Sequence, residues 1–121
     1  MANFAQVQMR AAEAAALIDA ARLVQKRDCR ETLFEISANS HVSVETRIRN
    51  RRGHAFVTRC AIQVVDSLFY GLGGHALYLD NSVQRAWRDA HAVAQHVSLN
   101  WDAVASMVGQ HMLGITPQGQ F

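Results

Sequence analysis

One proline stands among the 121 residues, and it is Pro117. Every earlier residue keeps its backbone N–H, so nothing upstream breaks a helical hydrogen-bond ladder by removing a donor. Alanine is dense in the first third, and no stretch alternates apolar and polar residues as a half-buried strand does. These features predict an all-α domain.

Four helices follow from the periodicity. The first is expected over about 3–38. Phe4, Val7, Ala11, Ala14, Ile18 and Ala21 keep a three-four spacing, and Leu17 and Val24 widen the stripe. Asn3 is a candidate N-cap. Asn39-Ser40-His41 is a polar break. The second helix starts near Ser43, with Glu45 favoured in its first turn by the helix dipole. Gly71, Gly73 and Gly74 stop it, because glycine accepts the left-handed backbone of a helix end. Asp80-Asn81-Ser82 offers caps for a third helix over about 83–97. Ser98-Leu99-Asn100 does the same for a fourth over 101–113. Two long and two short helices suit an up-down four-helix bundle. Trp87 and Trp101 are expected to be largely buried, packing the last two helices against the first.

Composition narrows the setting. One domain is expected at this length, and half the residues are hydrophobic, which favours a packed core over disorder. The formal charge of +2 is no argument for a nucleic-acid partner. Cys29 and Cys60, with no basic and apolar leader before them, read as reduced thiols of a cytoplasmic protein. The uncharged stretch Ser67 to Leu79 is too short and polar for a membrane span, which needs roughly 20 apolar residues.

Several polar residues invite a chemical reading. His91 and His96 lie five apart, about 140° around a helix, so they do not form a chelating pair; no metal is expected. Either histidine equally suits a packed, hydrogen-bonded role. Arg85 and Asp89 have the spacing of a surface ion pair. Arg47, Arg49, Arg51, Arg52 and Arg59 make a basic helix, either a solvated face or a phosphate contact, and no aromatic interleaves within the dense run from Arg47 to Arg52 as single-strand binding requires. Gly73-Gly74 is a weak phosphate signal and an equally good helix stop.

The segment Gln84-Arg85-Ala86-Trp87-Arg88-Asp89-Ala90-His91-Ala92-Val93-Ala94-Gln95-His96, preceded by Phe69-Tyr70-Gly71-Leu72-Gly73-Gly74-His75-Ala76-Leu77-Tyr78, resembles a known family. It is similar to the C-terminal helical domain of the flavin-dependent monooxygenases built on the acyl-CoA dehydrogenase fold. Those are the oxygenase components of two-component, group D hydroxylases. The resemblance spans nearly the whole chain, and its specific motifs fill about 69–114. Acyl-CoA dehydrogenases usually carry a glutamate-glycine-threonine element after the arginine-aspartate pair. Here the helix continues to His96 instead, which favours an oxygenase.

The resemblance implies the following roles. His96 is the catalytic residue, with His91 and Trp87 in the substrate and flavin vicinity. Arg59, Gly73 and Gly74 lie among cofactor-binding residues. Arg85, Arg88 and Asp89 form a structural signature. The cofactor is reduced FMN or FAD, supplied by a separate flavin reductase. A flavin C4a-hydroperoxide then hydroxylates an aromatic or phenolic small molecule. Histidine suits that chemistry because it titrates near neutrality and polarises a phenol hydroxyl without a large pKa shift. A homo-oligomer, dimer or tetramer, is implied. Residues 1–121 correspond to the C-terminal domain alone; the family's N-terminal helical domain and β-domain are absent, so the isolated domain is expected to be inactive, with His96 near an open cleft. Two rivals stand beside this reading: an acyl-CoA dehydrogenase-like oxidoreductase domain and a non-enzymatic helical oligomerisation module.

Overall fold

The computed structural model describes residues 3–121. Its helices are α1 (Ala5–Asn39), α2 (Val44–Gly71), α3 (Ser82–Ala94) and α4 (Trp101–Met112), with a short 3-10 turn at Gly73–Leu77 between α2 and α3. The domain is an all-α bundle of four helices.

Local chemistry sets most helix ends. The Ser43 hydroxyl accepts from Thr46 N at 3.2 Å and starts α2. Asn81 Oδ1 accepts from Val83 N (2.9 Å) and Gln84 N (3.4 Å) at the head of α3. Asn100 Oδ1 accepts from Asp102 N (3.0 Å) and Ala103 N (3.2 Å) at the head of α4. Each fills orphan donors of a first turn. The expected cap Asn3 is not one. Phe4 takes the N-cap position of α1, and its side chain has no acceptor to offer. Gly73, at φ +56, supplies the left-handed residue after α2.

α1 and α2 run antiparallel, tied along their length. Arg10 Nη1 donates to Ser67 Oγ at 3.1 Å at one end. Asp28 meets Gly53 in the middle. Glu35 accepts from Ser43 N (2.8 Å) and Ser43 Oγ (3.1 Å) and from Thr46 Oγ1 at the turn. The Thr46 hydroxyl, then the Ser43 amide, hold the Glu35 carboxyl below its ordinary range. α3 lies along the C-terminal half of α2 and α4 along its N-terminal half, so α2 is the common partner of the other three helices.

The hydrophobic core is at the α2–α4 contact: Ile48, Ala55, Val104, Met107 and Val108, with Trp101 and Phe121 packed against it. α1 contributes only Ala14, Ala21 and Asp28 as buried residues, and α3 contributes none. The expected α1 stripe is thus only partly buried. Phe4 is 67% exposed and Ile18 also faces solvent, because the stripe is longer and wider than the single face that α2 covers. The tryptophans also differ from expectation. Both are partly buried, and each packs on α2 rather than on α1. No helix among the described residues is long and apolar enough to cross a membrane.

Candidate functional site

The site is built on α3 and the turn that follows it. Trp87 and His91 are four apart and so share one face of α3. That face turns to α2 and meets a single carboxylate. Trp87 Nε1 donates to Asp66 Oδ1 at 2.6 Å. His91 Nε2 lies 3.4 Å from the same oxygen, an ion pair whenever the ring is protonated. His91 Nδ1 lies 2.8 Å from the Trp87 carbonyl oxygen. Phe69 of α2 stacks on Trp87 with centroids 5.1 Å apart, and the His91 ring lies 4.3 Å from Trp87. Phe69, Trp87 and His91 therefore form a short ring stack beside Asp66.

Sequence reasoning missed Asp66. A signal existed: α2 holds two acids, Glu45 at its head and Asp66 inside the apolar run Val64-Val65-Asp66-Ser67-Leu68-Phe69. An acid among apolar neighbours needs a donor, and Trp87 supplies one.

His96 lies beyond the end of α3, exposed, in a turn that its own backbone organises. Its carbonyl accepts from Leu99 N (2.8 Å) and Asn100 N (3.0 Å), and its amide donates to Val93 O (3.1 Å). Ser98 N donates to His96 Nδ1 at 3.2 Å. An Nδ1 that accepts has no proton in the neutral ring, so the neutral tautomer assigned by this bond carries its proton on Nε2. Nε2 has no partner among the described residues. The ring thus presents an N–H donor outward.

The next residues, Val97 and Ser98, help to wall a cavity of about 340 Å³ between α2, α4 and residues 118–120. Its lining is largely apolar, through Val104 and Met107, with Arg51 as the cation.

The remaining predicted residues are spread out. Arg85 and Asp89 pair at 3.6 Å with side chains 77% and 68% exposed, a solvated ion pair. Arg88 is exposed. The Arg59 guanidinium lies 5.2 Å from the Trp101 ring centroid. Gly73 and Gly74 sit at the far end of α2, roughly 21 Å from Arg59 at 1.5 Å per helical residue. This fold therefore does not bring Arg59 to the glycine pair within one chain. Among the described residues nothing stands within 4 Å of a Cβ placed on Gly73 or Gly74, so their backbone is open on that side. Of the arginines along α2, Arg49 pairs with Glu31 and Arg47 reaches Phe121 O, while Arg51 and Arg52 make no ion pair among the described residues.

Comparison with known proteins gives consistent matches. The family described as acyl-CoA dehydrogenase, C-terminal domain, matches residues 1–101. The chain is 44% identical over 125 residues to the oxygenase component of the FADH(2)-dependent resorcinol hydroxylase of Rhizobium sp. (strain MTP-10005), covering 100% of this chain and 31% of that protein. It is 34% identical over 110 residues to HsaA, the oxygenase subunit of a flavin-dependent monooxygenase of Mycobacterium tuberculosis, covering 91% of this chain and 28% of that one. The crystal structure of 3-HSA hydroxylase from Rhodococcus sp. RHA1 superposes with a TM-score of 0.86 at 32% identity, over 94% of this chain and 30% of the other. The chain thus spans under a third of the length of these relatives.

Proposed function

Because the chain belongs to the acyl-CoA dehydrogenase C-terminal domain family, we propose that residues 1–121 are the C-terminal helical domain of the oxygenase component of a two-component, flavin-dependent aromatic hydroxylase. The observation that supports this most is the 44% identity to a resorcinol hydroxylase oxygenase component across the whole chain. In this reading an N-terminal helical domain and a β-domain complete the enzyme, a separate reductase supplies reduced flavin, and the substrate is a phenol. The flavin is FAD, as the name of that relative has it, with FMN as the alternative.

The residues present fit one edge of a flavin site. The Gly73–Gly74 backbone is open to close approach, and Arg59 is a cation backed by an aromatic ring. Their separation along α2 means that they would hold different parts of the cofactor, or cofactors of neighbouring subunits. When bound, the reduced flavin supplies the activated oxygen. The chain's own contribution is at His96. Its outward Nε2–H would donate to the oxygen of a substrate bound as the phenolate, its proton already released to solvent, and so hold the electron-rich form of the ring in place. Trp87 and His91 face α2 and Asp66, and act behind the site.

A homo-oligomer belongs to the same proposal. The accessible surface is 8325 Å², against roughly 6500 Å² for a monomer of this mass. Leu23, Leu33 and Phe34 of α1 are each about two-thirds exposed or more, and a partner subunit or the other domains would cover them.

The test is turnover by the complete oxygenase with its reductase, using resorcinol and phenol as probes and counting product per reduced flavin oxidised. Hydroxylated product is expected. Active reductase with flavin oxidation but no hydroxylation of any phenol would overturn the reading.

A further inference from the structure

We propose that Asp66 is a positioning residue for His96, acting through the orientation of α3. The inference rests on the reading of His96 above.

α3 buries no residue fully. Apolar packing alone therefore leaves its rotation against α2 weakly determined. What sets that rotation is one carboxylate shared between successive turns of α3: Asp66 Oδ1 accepts from Trp87 Nε1 at 2.6 Å and lies 3.4 Å from His91 Nε2. Contact at i and i+4 fixes both the phase of the helix and its sliding along α2. The stack of Phe69 on Trp87 holds the same register from the apolar side.

His96 follows His91 by five residues, and the turn between α3 and α4 passes that register on. Bonds from His96 N to Val93 O, from Asn100 N to His96 O and from Ser98 N to Nδ1 leave the ring little freedom relative to α3. A 20° rotation of α3 would move a group at a helix radius of about 6 Å by roughly 2 Å. A misplacement of about 1 Å in a catalytic group can cost on the order of 10²-fold. The Asp66 clamp sits far enough from His96 that it touches no reacting atom, and close enough along α3 to aim it.

The experiment uses the complete oxygenase with reductase and resorcinol, well below each variant's melting temperature. Product per reduced flavin oxidised, and kcat and KM separately, are measured for Asp66→Ala, Asp66→Asn, His96→Ala and the double variant Asp66→Ala/His96→Ala. Glu31→Gln, which removes the Arg49 ion pair between α1 and α2, controls for lost stability away from α3. Asp66→Ala is expected to lower coupling at least about 10-fold through kcat, with KM for reduced flavin little changed. Asp66→Asn, whose amide oxygen still accepts from Trp87, should recover most of it. The double variant should be no worse than His96→Ala, because Asp66 acts through His96. Coupling in Asp66→Ala equal to that of Glu31→Gln, or full additivity in the double variant, overturns the proposal while leaving the function standing. If His96→Ala is itself fully coupled, the reading of His96 fails and the proposal falls with it. Should Asp66→Ala not fold, Trp87→Phe keeps the stack on Phe69, removes the donor and is held to the same criteria.

Discussion

Asp28 and Gly53 interlock where α1 crosses α2: a Cβ on Gly53 would stand 2.0 Å from Asp28 Oδ2. Asp28 is 3% exposed, and among the described residues only its Oδ1 is bonded, to Arg27. In an open helix, Gly→Ala gains about 0.8–1.0 kcal/mol of propensity. Here the added methyl must displace a buried carboxylate and press on Val24, an overpacking that costs about 1–3 kcal/mol. Gly53→Ala should therefore destabilise, and Asp28→Ala should recover much of the loss. Urea unfolding of the single and double variants checks this; an unchanged midpoint for Gly53→Ala would rule it out.

Glu35 predicts a dependence on pH. Its carboxyl titrates below the ordinary value when folded, chiefly because Thr46 Oγ1 and the Ser43 amide donate to it. A depressed folded-state pKa adds stability above the unfolded value, near 4.5, and that stability is lost as pH falls through the lower folded value. Wild type should then lose more stability than Glu35→Gln on acidification through this window. Parallel melting curves against pH for the two proteins would contradict it.

Trp87 should show two separable contributions. Trp87→Phe keeps a ring on Phe69 and loses the bond to Asp66, costing about 1 kcal/mol. Trp87→Ala also loses the stack, for roughly 2–3 kcal/mol, below the range for a fully buried aromatic because the ring is partly exposed. Equal melting temperatures for Trp87→Ala and wild type would refute this.

His96→Ala in the complete enzyme should leave the fold intact and slow hydroxylation about 10²–10⁴-fold. Flavin oxidation should continue, with hydrogen peroxide replacing product. His91→Ala should do less, since that ring touches Asp66 and not the substrate, and Trp87 still holds the carboxylate. Product and peroxide per flavin, measured together, decide between this role and a merely packed histidine.

The excess surface predicts association. The 121-residue chain should sediment as a dimer or larger at tens of micromolar. A clean 13.4 kDa species would count heavily against the proposed oligomer.

The helices and most of their limits were legible in the sequence because they depend on neighbours two to four residues away; the exception is α3, which ends at Ala94 instead of near Val97, so that His96 leaves the helix. Ser43, Asn81 and Asn100 cap from positions that the polar breaks mark, and one proline at 117 leaves the ladders whole. Asn3 misled because capping needs a particular backbone turn, and the chain makes it one residue later, at Phe4. The motif from Gln84 to His96 was equally legible, since it is contiguous.

Only the tertiary structure decided which faces meet. Asp66 lies 21 residues from Trp87, and no local period links them; their bond exists because α3 lies along the C-terminal half of α2. The same holds for Asp28 and Gly53, where a missing Cβ makes room for a carboxylate from another helix. The stripe on α1 reads as core by its spacing, yet burial depends on what covers it, and in this chain α2 covers only the part around Ala14, Ala21 and Asp28. Periodicity specifies that a face exists; contact between distant segments specifies what it does.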